Sequence, residues 1–210
     1  MSTKGVLVAI EGIDGSGKST QCKLLKERLE KAGFPATIVK AKNDKQGRVF
    51  KNFLSVFGIT ADSVSFTLLY QALHRRQFEI ARNELGKKHI VVADRWNPSF
   101  FVFHNLYGLL ADKPQIRESL DKLAFENLRP DICFLLNVPV KVSFTRRSGR
   151  KNEPEREPSP DRLEFYEKIA AEYLRLASRE GWVVIDANLP ISEIHRQIMG
   201  TVENILLKRN

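Results

Sequence analysis

Residues 12–19 read Gly12-Ile13-Asp14-Gly15-Ser16-Gly17-Lys18-Ser19, a full match to the pattern G-x-x-x-x-G-K-[ST]. These residue types at this spacing suit the holding of a polyphosphate. Glycines let backbone N–H groups converge on phosphate oxygens, and a helix opening at Lys18 adds its positive N-terminal end. Lys18 can reach the β- and γ-phosphates, and the Ser19 hydroxyl can ligate Mg²⁺. Gly12, Asp14, Gly15, Ser16, Gly17, Lys18, Ser19 and Thr20 form the expected ATP-binding set.

A second group of chemical residues ends the apolar run Ile90–Ala93, at Asp94-Arg95-Trp96. Asp94 suits work near the metal, beside Ser19. The arginine that follows would repel a metal and grip a phosphate, which points to a phosphorylated acceptor and away from an attacking water. No Asn-Lys-x-Asp guanine-reading motif is present, which argues against a GTPase switch. A third group is the basic window holding Arg146, Arg147, Arg150, Lys151, Arg156 and Arg162. Phosphoryl transfer needs water excluded and the charge developing on the γ-phosphate neutralised. A mobile lid over about residues 146–161 carrying Arg147, Arg150 and Arg156 would supply both. A phosphate acceptor needs no general base, because its second pKa near 6 leaves it largely dianionic at neutral pH.

These groups must be positioned by a scaffold, and the apolar pattern says which. Five short runs, Val6–Ile10, Ala36–Val39, Ile90–Ala93, Ile132–Leu136 and Trp182–Ile185, are continuously apolar, as parallel strands covered on both faces should be. Helical patterns over about 18–32, 62–85, 98–110, 114–128, 139–147, 161–179 and 190–207 alternate with them. The order predicts an α/β domain with a doubly wound parallel sheet, single over residues 1–210.

Composition limits the alternatives. No apolar run approaches membrane-spanning length, and Cys22 and Cys133 lack metal-pair spacing, so the chain reads as cytoplasmic. The net charge of +9 invites a nucleic-acid reading, yet a polyanionic small ligand explains a clustered positive charge equally well. The rival readings are a kinase for another deoxynucleotide, a nucleoside kinase using Glu11 or Asp94 as base, and a nucleic-acid-stimulated ATPase.

The chain resembles the thymidylate kinase family over nearly its whole length. The resemblance rests on Glu11–Gln21 and Asp94-Arg95-Trp96 with Ser99 following. It also rests on Leu128-Arg129-Pro130-Asp131, Phe165-Tyr166-Glu167 and Val184-Ile185-Asp186-Ala187. It implies a five-stranded P-loop kinase fold, ATP and Mg²⁺ as cofactors, phosphorylation of dTMP to dTDP, and a homodimer. By that analogy Asp14 lies near the acceptor sugar and the metal, with Ser19 and Asp94, and Arg95 holds the acceptor phosphate. A catalytic arginine must come from the lid, since the phosphate loop offers only Gly15 and Ser16. The base-reading residue falls on His74 or Arg75, with Phe66, Tyr70, Phe100 or Phe103 to stack and Ser99 nearby. Departures are Lys40-Ala41-Lys42-Asn43-Asp44-Lys45 in place of Arg-Glu-Pro-Gly, Trp96 in place of tyrosine, and Phe100, Phe103 and His104 around the base.

Overall fold

The computed structural model describes residues 5–61, 63–106, 110–148 and 158–208. In chain order these form β1 (Val6–Glu11), α1 (Lys18–Lys31), β2 (Ala36–Val39), α2 (Asp44–Val56), α3 (Val64–Gly86) and β3 (Ile90–Asp94). There follow α4 (Asn97–Leu106), α5 (Pro114–Phe125), β4 (Ile132–Asn137), α6 (Val140–Ser148), α7 (Pro160–Glu180), β5 (Val183–Asp186) and α8 (Ile191–Leu207). The five strands make one parallel sheet in the order β2-β3-β1-β4-β5. The doubly wound five-stranded sheet expected from the apolar runs is therefore present.

Continuous apolarity in β1 is explained by its two faces. Val6, Val8 and Ile10 join Leu25, Leu29 and Ile198 in one core layer, while Leu7 and Ala9 join Phe78, Trp96 and Phe125 in the other. Successive side chains point to opposite faces, and helices cover both. Trp96 is fully buried, its ring centroid 4.8 Å from that of Phe125 and its indole N–H donating to Leu128 O at 3.1 Å. The tryptophan that departs from the family pattern is thus a core residue with its polar atom satisfied.

The sheet brings the chemical residues together. Ile10 lies in register with Asp94, and Arg95 N donates to Ile10 O at 3.2 Å, so the loops leaving β1 and β3 are neighbours at the carboxyl edge of the sheet. This is the edge at which open parallel sheets bind ligands.

Helix α2 has no counterpart in the sequence reading, which passed over residues 40–61. Its signal was local: Asn43 accepts from Gln46 N at 2.9 Å while the Gln46 side chain accepts from Asn43 N at 2.9 Å, a reciprocal capping box. Element ends shift elsewhere by a few residues, as in α5, which ends at Phe125, where Glu126 and Asn127 turn left-handed. Among the described residues no helix is long and apolar enough to cross a membrane.

Asp131 explains one of the shared motifs. Its carboxylate accepts from Leu7 N at 2.7 Å, and Asp131 N donates to Leu7 O at 2.8 Å, so this residue pins the start of β4 to the central strand. Asp131→Ala should lower stability by ~1–2 kcal/mol, the scale of one charge-assisted hydrogen bond, read as a lower urea midpoint at unchanged slope. An unchanged midpoint would show that the backbone ladder holds the strand without the carboxylate.

Candidate active site

The phosphate loop takes its shape from backbone positions that exclude side chains. Gly12 and Gly15 have φ of 137° and 89°. A Cβ at Gly15 would stand 2.4 Å from Ser143 O and 3.2 Å from Arg147 Cγ. The loop therefore packs against α6 so closely that only glycine fits. Helix α1 starts after Gly17 with no side-chain cap and no acidic residue in its first turn, so its N-terminal amides remain available to an anion. Lys18 Nζ donates to Ile13 O at 2.8 Å. Burial, then the Arg95 charge, push its pKa down to about 7, against the pull of Asp14 and Asp94.

One open cavity of about 1010 Å³ runs from this loop past β3 to α2, α3 and α4. Its wall includes Asp14, Gly15, Gly17, Lys18, Ser19 and Thr20 from the loop, whereas Gly12 and Ser16 lie behind it. Among the described residues, seven cationic side chains, Lys18, Lys40, Lys42, Arg48, Lys51, Arg95 and Arg147, line it against the two carboxylates of Asp14 and Asp94. Much of the positive charge that suggested nucleic acid is thus turned inward on a concave site sized for small ligands.

Arg95 stands at the centre. Its backbone is left-handed, φ 72°, a conformation costly for a residue with a Cβ and common at functional sites. Gln77 Nε2 holds that turn by donating to Arg95 O at 2.8 Å. The guanidinium donates to Asp14 at 2.6 Å, Tyr173 Oη at 2.6 Å and Ser99 Oγ at 3.1 Å. Behind it, Glu11 is wholly buried and accepts from Trp96 N at 2.7 Å and Ser99 Oγ at 2.6 Å. Burial raises the pKa of Glu11, opposed by Arg95, Ser99 and Trp96. That of Asp14 is held well below the carboxylate range, chiefly by Arg95.

Ser19 Oγ donates to Asp94 Oδ2 at 2.5 Å, and Asp94 Oδ1 is buried without a partner among the described residues. A hydroxyl and an orphaned carboxylate oxygen side by side fit a magnesium ion that takes its remaining oxygens from nucleotide phosphates. Asp14, expected as a third ligand, is engaged by Arg95 instead. Among the described residues no cluster of three or more His, Cys, Asp or Glu could hold a metal by itself.

The far end of the cavity is aromatic. Phe66, Tyr70, His74, Phe100, Phe103 and His104 line it. The choice between His74 and Arg75 is resolved by helix geometry. Positions 66, 70, 74 and 77 of α3 face the cavity, and Arg75 lies a further 100° round the helix. It bonds Glu126 at 2.7 Å and Glu79 at 3.1 Å, and lies over the Phe78 ring. Arg75 is therefore a surface ion-pair residue, and the expectation that it might read the base is corrected. His74 is buried, and desolvation, then Lys42, push its pKa down to about 3. The Lys42 ammonium bonds Tyr70 Oη and rests 4.1 Å from the Tyr70 ring centroid. Of the lid arginines, Arg147 lines the cavity, rests over the rings of Phe144 and Tyr166 at 5.2 and 5.4 Å, and bonds Tyr166 Oη at 3.1 Å. Arg150 and Arg156 lie outside the described residues.

A family model for thymidylate kinase matches residues 10–198. This chain belongs to the thymidylate kinase family. It is 32% identical to the probable thymidylate kinase of Thermococcus gammatolerans over 97% of this chain and 98% of that protein. It is 33% identical to the thymidylate kinase of Fervidobacterium nodosum over 92% of this chain and 96% of the relative.

Sequence reasoning missed Lys40, Lys42, Gln77 and Tyr173 in this thymidylate kinase site. Lysines after β2 carry no motif, and Tyr173 lies in the middle of α7, where an aromatic reads as core. Tyr173→Phe should leave the fold intact and raise the acceptor KM about tenfold, the size of one hydrogen bond to a charged group, with the ATP KM little changed. A loss of stability with unchanged acceptor KM would make Tyr173 a core residue only.

Proposed function

We propose that this chain transfers the γ-phosphoryl group of ATP to dTMP, giving dTDP and ADP. The observation that carries this reading is Arg95, presented from a strained turn and braced by Asp14 and Tyr173, between the phosphate loop and an aromatic pocket. Such a guanidinium can anchor an acceptor monophosphate in line with the donor. Ser19 and Asp94 would hold Mg²⁺, which when bound neutralises charge on the donor phosphates. Lys18 and the loop amides bind those phosphates, and Arg147 supplies a further cation from the lid (about residues 146–161). Arg147 fills the space beside Gly15, where the phosphate loop itself carries no side chain.

Glu11 disfavours the nucleoside-kinase alternative. It is wholly buried behind the cavity wall and already accepts from Trp96, Ser99 and Tyr173, so it is not presented to an acceptor hydroxyl. In the base pocket, Phe100 stands buried where the family pattern led us to expect a polar side chain. Donors that face this end of the cavity include the Lys42 ammonium and the neutral His74 ring. Both suit a carbonyl at the pyrimidine 4-position, and the ammonium, being donor-only, opposes an amino group there. We read residues 1–210 as one cytoplasmic kinase domain. A homodimer is favoured by apolar side chains exposed on neighbouring elements, Val49, Val56 and Phe57 with Val64 and Leu68.

The test is kcat/KM for dTMP, dUMP, dCMP and dGMP in a coupled ADP-release assay. dTMP should lead, with dUMP lower by only about tenfold to a hundredfold because an apolar pocket senses one methyl weakly. A preference for dCMP or dGMP would overturn the substrate and leave the kinase class standing. Separately, Arg147→Ala should lower kcat by ~100-fold with the fold retained, and Arg147→Lys should recover part of the loss. Near-full kcat in Arg147→Ala would move the catalytic cation elsewhere in the lid.

A further inference from the structure

Lys40, the residue that follows β2, is placed in a way that the reaction alone does not require. Its ammonium lies 2.9 Å from Asp94 Oδ2 and 3.4 Å from Ser19 Oγ, against the same two groups that fit a magnesium ion. Asp94 is 3% exposed and Lys40 40% exposed, so a flexible, half-solvated cation is laid on a buried carboxylate.

Resting on the phosphotransferase reading, we infer that Lys40 is a resident stand-in for the divalent cation, which must leave Asp94 before the metal–nucleotide complex can seat. A buried carboxylate without a counter-charge is strongly unfavourable, and in the nucleotide-free enzyme the Lys40 ammonium supplies that charge. A divalent ion arriving alone must displace the ammonium using two protein oxygens only. One arriving on ADP or ATP brings phosphate oxygens of its own, and those same oxygens offer the displaced ammonium a new partner. Metal is thereby admitted with nucleotide rather than ahead of it. Lys42, two residues on, shares the cavity but rests on Tyr70, and so provides an internal control for charge alone.

The probe is Mn²⁺, titrated into nucleotide-free enzyme and, in parallel, into ADP-saturated enzyme, with free Mn²⁺ followed by electron paramagnetic resonance. Lys40→Met should tighten Mn²⁺ binding to the nucleotide-free enzyme about fivefold, the scale of a half-exposed ion pair. Lys42→Met, which removes the same charge from the same cavity, should leave it within about twofold. Equal Mn²⁺ affinity in wild type and Lys40→Met, or weaker affinity in that variant, overturns the inference. So does equal tightening by Lys42→Met, which would reduce the effect to net charge. Failure of wild-type enzyme to bind Mn²⁺ with ADP at all would instead sink the phosphotransferase reading beneath it.

Discussion

A buried carboxyl group, Glu11, and a partly buried guanidinium, Arg95, face each other across two hydroxyl groups, and this arrangement orders the hydrogen bonds between them. A guanidinium only donates and a carboxylate only accepts. Because Arg95 donates to Tyr173 Oη, and Ser99 Oγ donates to Glu11, the Tyr173 O–H is left to donate toward Ser99 Oγ at 2.8 Å or Glu11 at 3.4 Å. The chain of bonds is polarised from end to end, and each link strengthens the next in a low-dielectric interior. Its members come from β1, the turn after β3, α4 and α7, so one network ties four elements to the position of one guanidinium. Burial raises the pKa of Tyr173 far above its ordinary value, which keeps the phenol a dependable donor.

This network gives the left-handed turn at Arg95 a physical reason. Backbone strain of roughly 1–2 kcal/mol persists only where surrounding contacts over-determine it. Here the Gln77 amide fixes the Arg95 carbonyl, the β1 register fixes its N–H, and three partners fix the side chain. The turn projects the guanidinium off the end of the sheet toward the phosphate loop, where a regular strand would have sent alternate side chains into the core layers. Asp14, the most exposed partner, is the one a bound phosphate would compete with.

The parts of this design that were legible in the sequence share a property: each follows from a local pattern. The phosphate loop, Asp94-Arg95 and the five apolar strands are contiguous, and register between parallel strands then places the first two side by side. What was illegible depends on rotation or on distance along the chain. Whether His74 or Arg75 faces the cavity is a matter of 100° about α3, and the motif gave no register. Tyr173 reaches Arg95 across 78 residues. Helix α2 was missed for a different reason, because its Asn43–Gln46 capping box was readable but a mixed basic and aromatic run with Gly47 inside obscured the pattern that follows.

The cavity also shows where part of the excess positive charge is used. Net charge counts residues without regard to where they point, whereas potential depends on whether like charges converge on one concavity with low-dielectric walls. Lys18, Arg95 and Arg147 converge on the donor end, and Lys42, Arg48 and Lys51 extend the field toward the aromatic end. Close like charges are tolerable only with counter-charges among them, and Asp14 and Asp94 serve there, the first shared by Arg95 and Lys18, the second by Lys40. The pKa of Lys18 is lowered first by burial and then by the neighbouring Arg95 charge. A site in this state gains most from a ligand that is itself polyanionic, because each phosphate relieves repulsion as well as forming its own contacts. Affinity for such ligands therefore follows from the crowding of the cations, while the choice among them falls to the aromatic pocket.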